Sequence, residues 1–348
     1  MQGAAFTGNR QISMIDVPDP APDRNDVVVE IKASGLCGSD LKFYRTPREA
    51  MLKELGFTGG GDLVIGGHEP CGVVVAVGRD VDARMAKVGD RVMVHHYHGC
   101  GACPQCRTGW TQMCDSGAVV YGVTGHGAHA PYMKVPASTL VRLPDALSFT
   151  TGAAIACGTG TAYGALVRVN ASARDTIAIV GQGPVGLSAT QLALAMGARV
   201  AAIDIDPARV ARAREFGAIW VIDASAADPV EQIRALTGGG VMSAIDTSGT
   251  AAGRTVAVRS ARAWGSVCFV GEGGSVTLDV SSEILRKQLT IMGSWTFSTV
   301  GLADCARFVA EHGVKVDALF TDRWALDQVV EAYAVFDRQT GGKGVLMA

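Results

Sequence analysis

Thr176-Ile177-Ala178-Ile179-Val180-Gly181-Gln182-Gly183-Pro184-Val185-Gly186 is the stretch whose reading decides the fold. An apolar run stops at a glycine turn, and a helical pattern through Leu187, Gln191 and Leu194 follows. A second apolar run, Val200 to Ile203, ends at Asp204. Strand, glycine turn, helix, strand and terminal acid are together the context in which G-x-G-x-x-G reads as a dinucleotide site. Gly181 permits the tight turn, Gly183 lets a pyrophosphate approach the backbone, and Gly186 lets helix and strand pack closely. Pro184 and Val185 open the helix, whose free N–H groups and dipole favour an anion. Asp204, 18 residues after Gly186, is expected to accept hydrogen bonds from the adenosine ribose. An acid there repels a 2′-phosphate, so NAD is expected rather than NADP. The competing reading is a plain glycine turn in an α/β domain.

The remainder of the chain frames this unit. Its 348 residues suggest two domains with ample core. A net charge of −2 offers no bulk attraction for nucleic acid. The N-terminus lacks a basic segment followed by an apolar one, so no secretory signal is read. No long apolar stretch free of turn formers predicts a membrane span. Nine cysteines without a signal point to metal or buried thiols rather than disulfides. A cytoplasmic location is therefore expected.

Cysteines supply the second strong pattern. After His95-His96-Tyr97-His98-Gly99, Cys100, Cys103, Cys106 and Cys114 fall at C-x2-C-x2-C-x7-C. Four thiolates so close on a glycine- and proline-bearing lobe suit a closed tetrahedral zinc site, with an iron–sulfur cluster as competitor. Three further residues stand alone. Cys37 ends a strand pattern and is followed by Gly38, Ser39 and Asp40; His68 and Glu69 open another strand; Cys157 begins a helical pattern. Singly, each is more often a packed or satisfied core residue. Residues 41–65 read as a polar, partly helical excursion, either a solvated lid or a basic rim with Lys42, Arg45 and Arg48. Leu326, Val329, Val330, Tyr333 and Phe336 form an apolar stripe expected to be core.

From Cys37-Gly38-Ser39-Asp40 through Gly67-His68-Glu69, the cysteine lobe, Cys157 and the Gly181 turn to Gly342-Lys343-Gly344, the chain resembles the zinc-dependent alcohol dehydrogenase branch of the medium-chain dehydrogenase/reductase family. The resemblance implies an α/β protein with a chaperonin-10-like β-rich catalytic domain over 1–158 and 294–348, with its zinc lobe around 95–116. A Rossmann doubly wound parallel-sheet domain is implied over 159–293, with the active site in the cleft between the two. It also implies that Cys37, His68 and Cys157 form a Cys2His set with one open position, a catalytic zinc site, and with it two zincs per chain and NAD. Ser39 would begin a proton relay, with Lys42 at the position where many members carry histidine. Asp40 would orient His68, and Glu69 would be a transient metal ligand. Thr161 would contact the nicotinamide and Arg209 the adenosine end. The implied reaction interconverts a secondary alcohol and its ketone, on a small molecule, by a homodimer or homotetramer. His95, His96 and Tyr97 favour a polyol or sugar-derived alcohol if they line the pocket, or only support the lobe. Cys157, where polyol enzymes often have glutamate, keeps a general aliphatic or aromatic alcohol dehydrogenase open. A zinc-free NADPH-dependent carbonyl or enone reductase is a further alternative, against which the metal ligands count.

Overall fold

The computed structural model describes residues 1–54, 56 and 62–347. Part of the 41–65 excursion thus lies outside the described residues. The described part forms the short helices Asp40–Arg45 and Arg48–Glu54.

The chain divides into two compact units. Met1–Cys157, Ser298–Ala310 and Asp317–Ala348 form one; Gly158–Phe297 and Glu311–Val316 form the other. The boundaries fall at 157/158 and 297/298, where the resemblance implies 158/159 and 293/294. The short segment 311–316 groups with the second unit instead of the first.

The second unit carries a six-stranded sheet. Its spatial order is Trp220–Asp223, Arg199–Asp204, Thr176–Val180, Val241–Asp246, Ala261–Phe269 and Thr290–Gly293. Every pairing is parallel. Numbered along the chain this is 3-2-1-4-5-6, the Rossmann order, in which ligands bind beyond the carboxyl ends of strands where the order reverses. All five residues of Thr176–Val180 are buried, which explains an unbroken apolar run: a parallel strand covered on both faces needs no polar alternation. Ala178, Val180, Ile203, Ile222, Ile233, Ala244 and Val267 belong to one core cluster of this unit.

The first unit is built on a seven-stranded sheet whose long central strand is Asp26–Gly35. That strand pairs antiparallel with Pro70–Val77, Tyr132–Pro136 and Lys343–Met347. Register sets Ser34 opposite Pro70 and Gly35 opposite Val345. The end of one strand and the beginnings of two others therefore meet, and the chain segments carrying Cys37, His68 and Lys343 come to one place. Beside it, Phe6, Leu36, Leu41, Phe43, Tyr333 and Phe336 pack as a buried cluster. Among the described residues no helix is long and apolar enough to cross a membrane.

Candidate metal and dinucleotide sites

Cys37 follows the central strand, where Leu36 N–H is tied to the Gly344 carbonyl. His68 and Glu69 immediately precede Pro70–Val77. Cys157 sits in a π-helical turn, Ile155–Thr159, that follows the helix Phe149–Ala154. Such widened turns recur at functional sites because the extra residue re-aims a side chain. One ligand atom from each of Cys37, His68, Glu69 and Cys157 lies within 4.8 Å of the others. The sulfurs of Cys37 and Cys157 are 4.0 Å apart. Tetrahedral coordination with metal–sulfur bonds of about 2.3 Å requires roughly 3.8 Å, so this donor set fits zinc.

The surrounding contacts hold these donors in place. Asp40 lies 2.8 Å from His68 Nδ1 through Oδ1, and its Oδ2 accepts from Cys37 N–H at 2.9 Å. His68 Nε2 is thereby turned toward the thiols, where Ser39 Oγ stands 3.2 Å from it and donates to Cys37 Sγ at 3.3 Å. Burial works against Asp40's charge, yet the His68 ring and the Cys37 N–H hold its pKa down at about 2. The same pairing keeps His68 well above its ordinary value despite burial. Lys42, half-buried, lies on the first turn of Asp40–Arg45.

Glu69 is fully buried and would clash with any side chain at residue 35: a Cβ there would fall 1.9 Å from Oε2. Only glycine leaves room. Lys343 Nζ forms an ion pair with Oε2 at 2.5 Å and donates to the Leu36 carbonyl at 3.2 Å. Burial works against the charge of Glu69, and Lys343 opposes that shift. Lys343 is held above its ordinary value because Glu69 and Cys37 outweigh its own burial.

The second cluster is local. The sulfurs of Cys100, Cys103, Cys106 and Cys114 all lie within 4.8 Å of one another. Backbone N–H groups point at them: Cys100 to Cys114 Sγ at 3.2 Å, Cys103 to Cys100 Sγ at 3.4 Å and Cys106 to Cys103 Sγ at 3.5 Å. N–H donors favour thiolates; those of Ala102 and Cys103 bring Cys100 to about 6, while burial drives Cys106 to about 12. All four positions of a tetrahedron are filled from the chain, as in a structural zinc site.

The neighbouring rings divide between the two clusters. His95 Nδ1 lies 3.2 Å from the Tyr97 carbonyl and 3.3 Å from Thr111 Oγ1, within the cysteine lobe. His96 instead has its ring 5.2 Å from that of His68 and its Nδ1 3.1 Å from the Ala156 carbonyl. Burial, then the nearby His68 and His95, push His96 well below its ordinary value, so it is neutral. A carbonyl only accepts, so the His96 proton is on Nδ1.

At the glycine turn the three glycines have separate tasks. Gly181 has φ +91°, a left-handed conformation. A Cβ at Gly186 would fall 1.8 Å from the Gly181 carbonyl oxygen, while one at Gly183 would meet nothing within 4 Å. Gly183 thus leaves open space beside the start of the helix Pro184–Ala195. Asp204 accepts N–H bonds from Gln182 at 2.5 Å, Ile205 at 2.8 Å and Asp206 at 3.0 Å. A carboxylate has about four acceptor positions, so capacity for a further donor remains. Arg209 lies 4.0 Å from Asp204 and 3.7 Å from Asp206, and Thr161 is half-buried on the helix Gly160–Arg168.

Some expectations change. Arg45 pairs with Asp337 and Arg48 donates to the Val123 carbonyl, so both hold the chain together rather than forming a free basic rim. Tyr333 is core, as its apolar stripe suggests, but its hydroxyl donates to Asp40 at 2.9 Å. Its role, and that of Lys343, were not read from sequence. Lys343 could have been suspected, as a lone cation opening the apolar run Val345-Leu346-Met347.

Residues 23–145 match the family described as alcohol dehydrogenase GroES-like domain, and 184–311 the one described as zinc-binding dehydrogenase. The zinc-type alcohol dehydrogenase-like protein YphC of Escherichia coli K12 is 39% identical, with 99% of this chain and 98% of that protein covered. Sorbitol dehydrogenase of Bacillus subtilis 168 is 31% identical, with 95% and 92% covered. The solved alcohol dehydrogenase TADH from Thermus sp. ATN1 matches with a TM-score of 0.89 and 28% identity, over 100% of this chain and 99% of that one. The chain is a zinc-binding oxidoreductase with a GroES-like and a Rossmann-type portion. It belongs to the zinc-dependent alcohol dehydrogenases of the medium-chain dehydrogenase/reductase family.

Proposed function

We propose that this enzyme uses NAD to interconvert a secondary alcohol bearing further hydroxyl groups, a polyol or sugar-derived alcohol, with its ketone. The observation that carries the reaction type is the convergence of Cys37, His68 and Cys157 with Glu69 beside them. When bound, zinc supplies Lewis acidity toward the alcohol oxygen and the nicotinamide supplies a hydride acceptor. Ser39 Oγ, within hydrogen-bond distance of Cys37 Sγ and His68 Nε2, would take the departing hydroxyl proton and pass its own outward, with Lys42 as the relay's outer end. Asp40 fixes the His68 ring, so that Nε2 is the ligand atom. The Gly183 turn and the helix starting at Pro184 would take the pyrophosphate. Asp204 would take the ribose hydroxyls and disfavour a 2′-phosphate, with Arg209 flanking the adenosine.

His96 supports a polar substrate, because it puts an imidazole rather than an apolar ring next to His68. The likeness to a sorbitol dehydrogenase points the same way. A general alcohol dehydrogenase is the second reading, favoured by a thiol at residue 157. The deciding experiment compares kcat/KM on matched secondary alcohols with and without neighbouring hydroxyls, each with NAD and NADP. Higher efficiency on the hydroxylated partner with NAD is expected, since a site lined by polar groups rejects analogues that leave them unpaired. Equal efficiency on plain alcohols, or preference for NADP, would overturn the corresponding half of the proposal.

A further inference from the structure

Behind His68 runs a buried line of polar groups that the reaction itself does not use. Ser34 Oγ lies 2.9 Å from His129 Nδ1, His129 Nε2 lies 2.7 Å from the Tyr333 hydroxyl, and that hydroxyl lies 2.9 Å from Asp40 Oδ2. Ser34, His129 and Tyr333 are at most 1% exposed and Asp40 is 3% exposed, so water does not compete for these bonds. Proton counting orders the whole line. A carboxylate only accepts, so Tyr333 gives Asp40 its single proton. The phenol oxygen must then accept from His129, which places the His129 proton on Nε2. Nδ1 is left as an acceptor, and Ser34 donates to it.

Backbone contacts fasten His129 to the loop carrying His68. His129 N–H bonds the Gly66 carbonyl, and Ala128 N–H bonds the Gly67 carbonyl. The ring lies so close to Gly67 that a Cβ there would fall 2.4 Å from Nδ1. Asp40, at the other end, holds two metal-ligating residues, His68 through its ring and Cys37 through its N–H.

We propose that Tyr333 and His129 are positioning residues for the open metal centre, acting through Asp40 to fix His68 and Cys37. Without the Tyr333 hydroxyl, Asp40 is steered by its own ligand contacts alone, and the geometry of two of the three ligands loosens together. The proposal rests on reading Cys37, His68 and Cys157 as a metal site.

The test uses the full-length protein loaded with cobalt(II) or zinc. In Tyr333→Phe, metal loss from the open site to a competing chelator should be about tenfold faster or more, the range seen when outer-shell partners are removed. The cobalt ligand-field bands of that site should shift, while metal loss from the four-cysteine site stays at the native rate. His129→Leu should act in the same direction. His129→Gln, whose amide can donate from the place of Nε2, should recover most of the native rate. The double variant Tyr333→Phe/His129→Leu should be little worse than Tyr333→Phe, because both act through one line. Native off-rates and an unchanged cobalt spectrum in Tyr333→Phe would overturn the proposal. So would equal acceleration at both sites, which marks a general loosening. Nitrogen-15 histidine spectra of the native protein give a reading that needs no variant: the neutral Nε2–H form of His129 is expected, and a proton on Nδ1 overturns the proposal. Uptake of a single cobalt with a four-thiolate spectrum would instead overturn the metal-site reading itself. That failure is told apart because the His129 tautomer is read without metal.

Discussion

At the scale of single residues, the pair Glu69–Lys343 shows how much the interior tolerates. Both side chains are almost fully buried, and each is the other's only opposite charge at contact distance among the described residues. Breaking a buried pair costs more than replacing it, because the remaining group is left desolvated without a partner. Lys343→Met should lower stability by about 3–5 kcal/mol in denaturant unfolding. Lys343→Met/Glu69→Gln should recover a large part of that loss. A single variant as stable as the native protein would mean that Glu69 is neutral whether or not Lys343 is present.

At the scale of elements, the glycine turn separates packing from binding. The helix Pro184–Ala195 rests on the turn through Gly186, where a Cβ would meet a carbonyl oxygen, whereas Gly183 faces open space. Gly186→Ala should therefore destabilise the fold by about 1–3 kcal/mol, the usual cost of overpacking. Gly183→Ala should melt within a few degrees of the native protein but bind NADH at least about tenfold more weakly, as a methyl group intrudes where the pyrophosphate must approach. Melting curves and fluorescence titration of NADH check the two halves. A Gly183→Ala protein with native affinity would remove the turn from the cofactor site.

At the scale of the whole molecule, two ligand sets with different duties predict different failures. Cys100→Ser should lose one of two metal equivalents and much of its stability, because the closed site holds a lobe with little core of its own. Cys37→Ser should fold with near-native stability and lose turnover. Metal content, melting temperature and kcat, measured together on both variants, check this; a Cys37→Ser enzyme with normal kcat would refute the assignment. These sites were legible in the sequence to different depths. The glycine turn and the four cysteines are written in local spacing, and the strand and helix around the turn follow from periodicity. Cys37, His68 and Cys157 are far apart along the chain, and were grouped by likeness to a family rather than by spacing. His129, Tyr333 and Lys343 stayed hidden for a physical reason. Tyr333 sits in a stripe whose pattern reports burial alone, and only the sheet register and the packing of its helix aim the hydroxyl at Asp40, 293 positions away in sequence. The basic side chains at 45 and 48 left a lid and a rim both open because sequence displays charge but not its partner, here Asp337 for Arg45.

The closed site draws every ligand from Cys100 to Cys114, whereas the open one waits for Cys157 to reach Cys37 across 120 positions. Closing a short loop is entropically cheap and fast, and distant closure needs most of the fold already in place. Refolding should therefore proceed in a fixed chronology. In stopped-flow refolding with cobalt(II), thiolate charge-transfer bands of the four-cysteine lobe should rise first. The mixed thiolate–imidazole bands should rise only with the final phase that restores activity. The lobe is thus an early clock mark on the folding path, and the reactive centre is the last event before the chain becomes an enzyme.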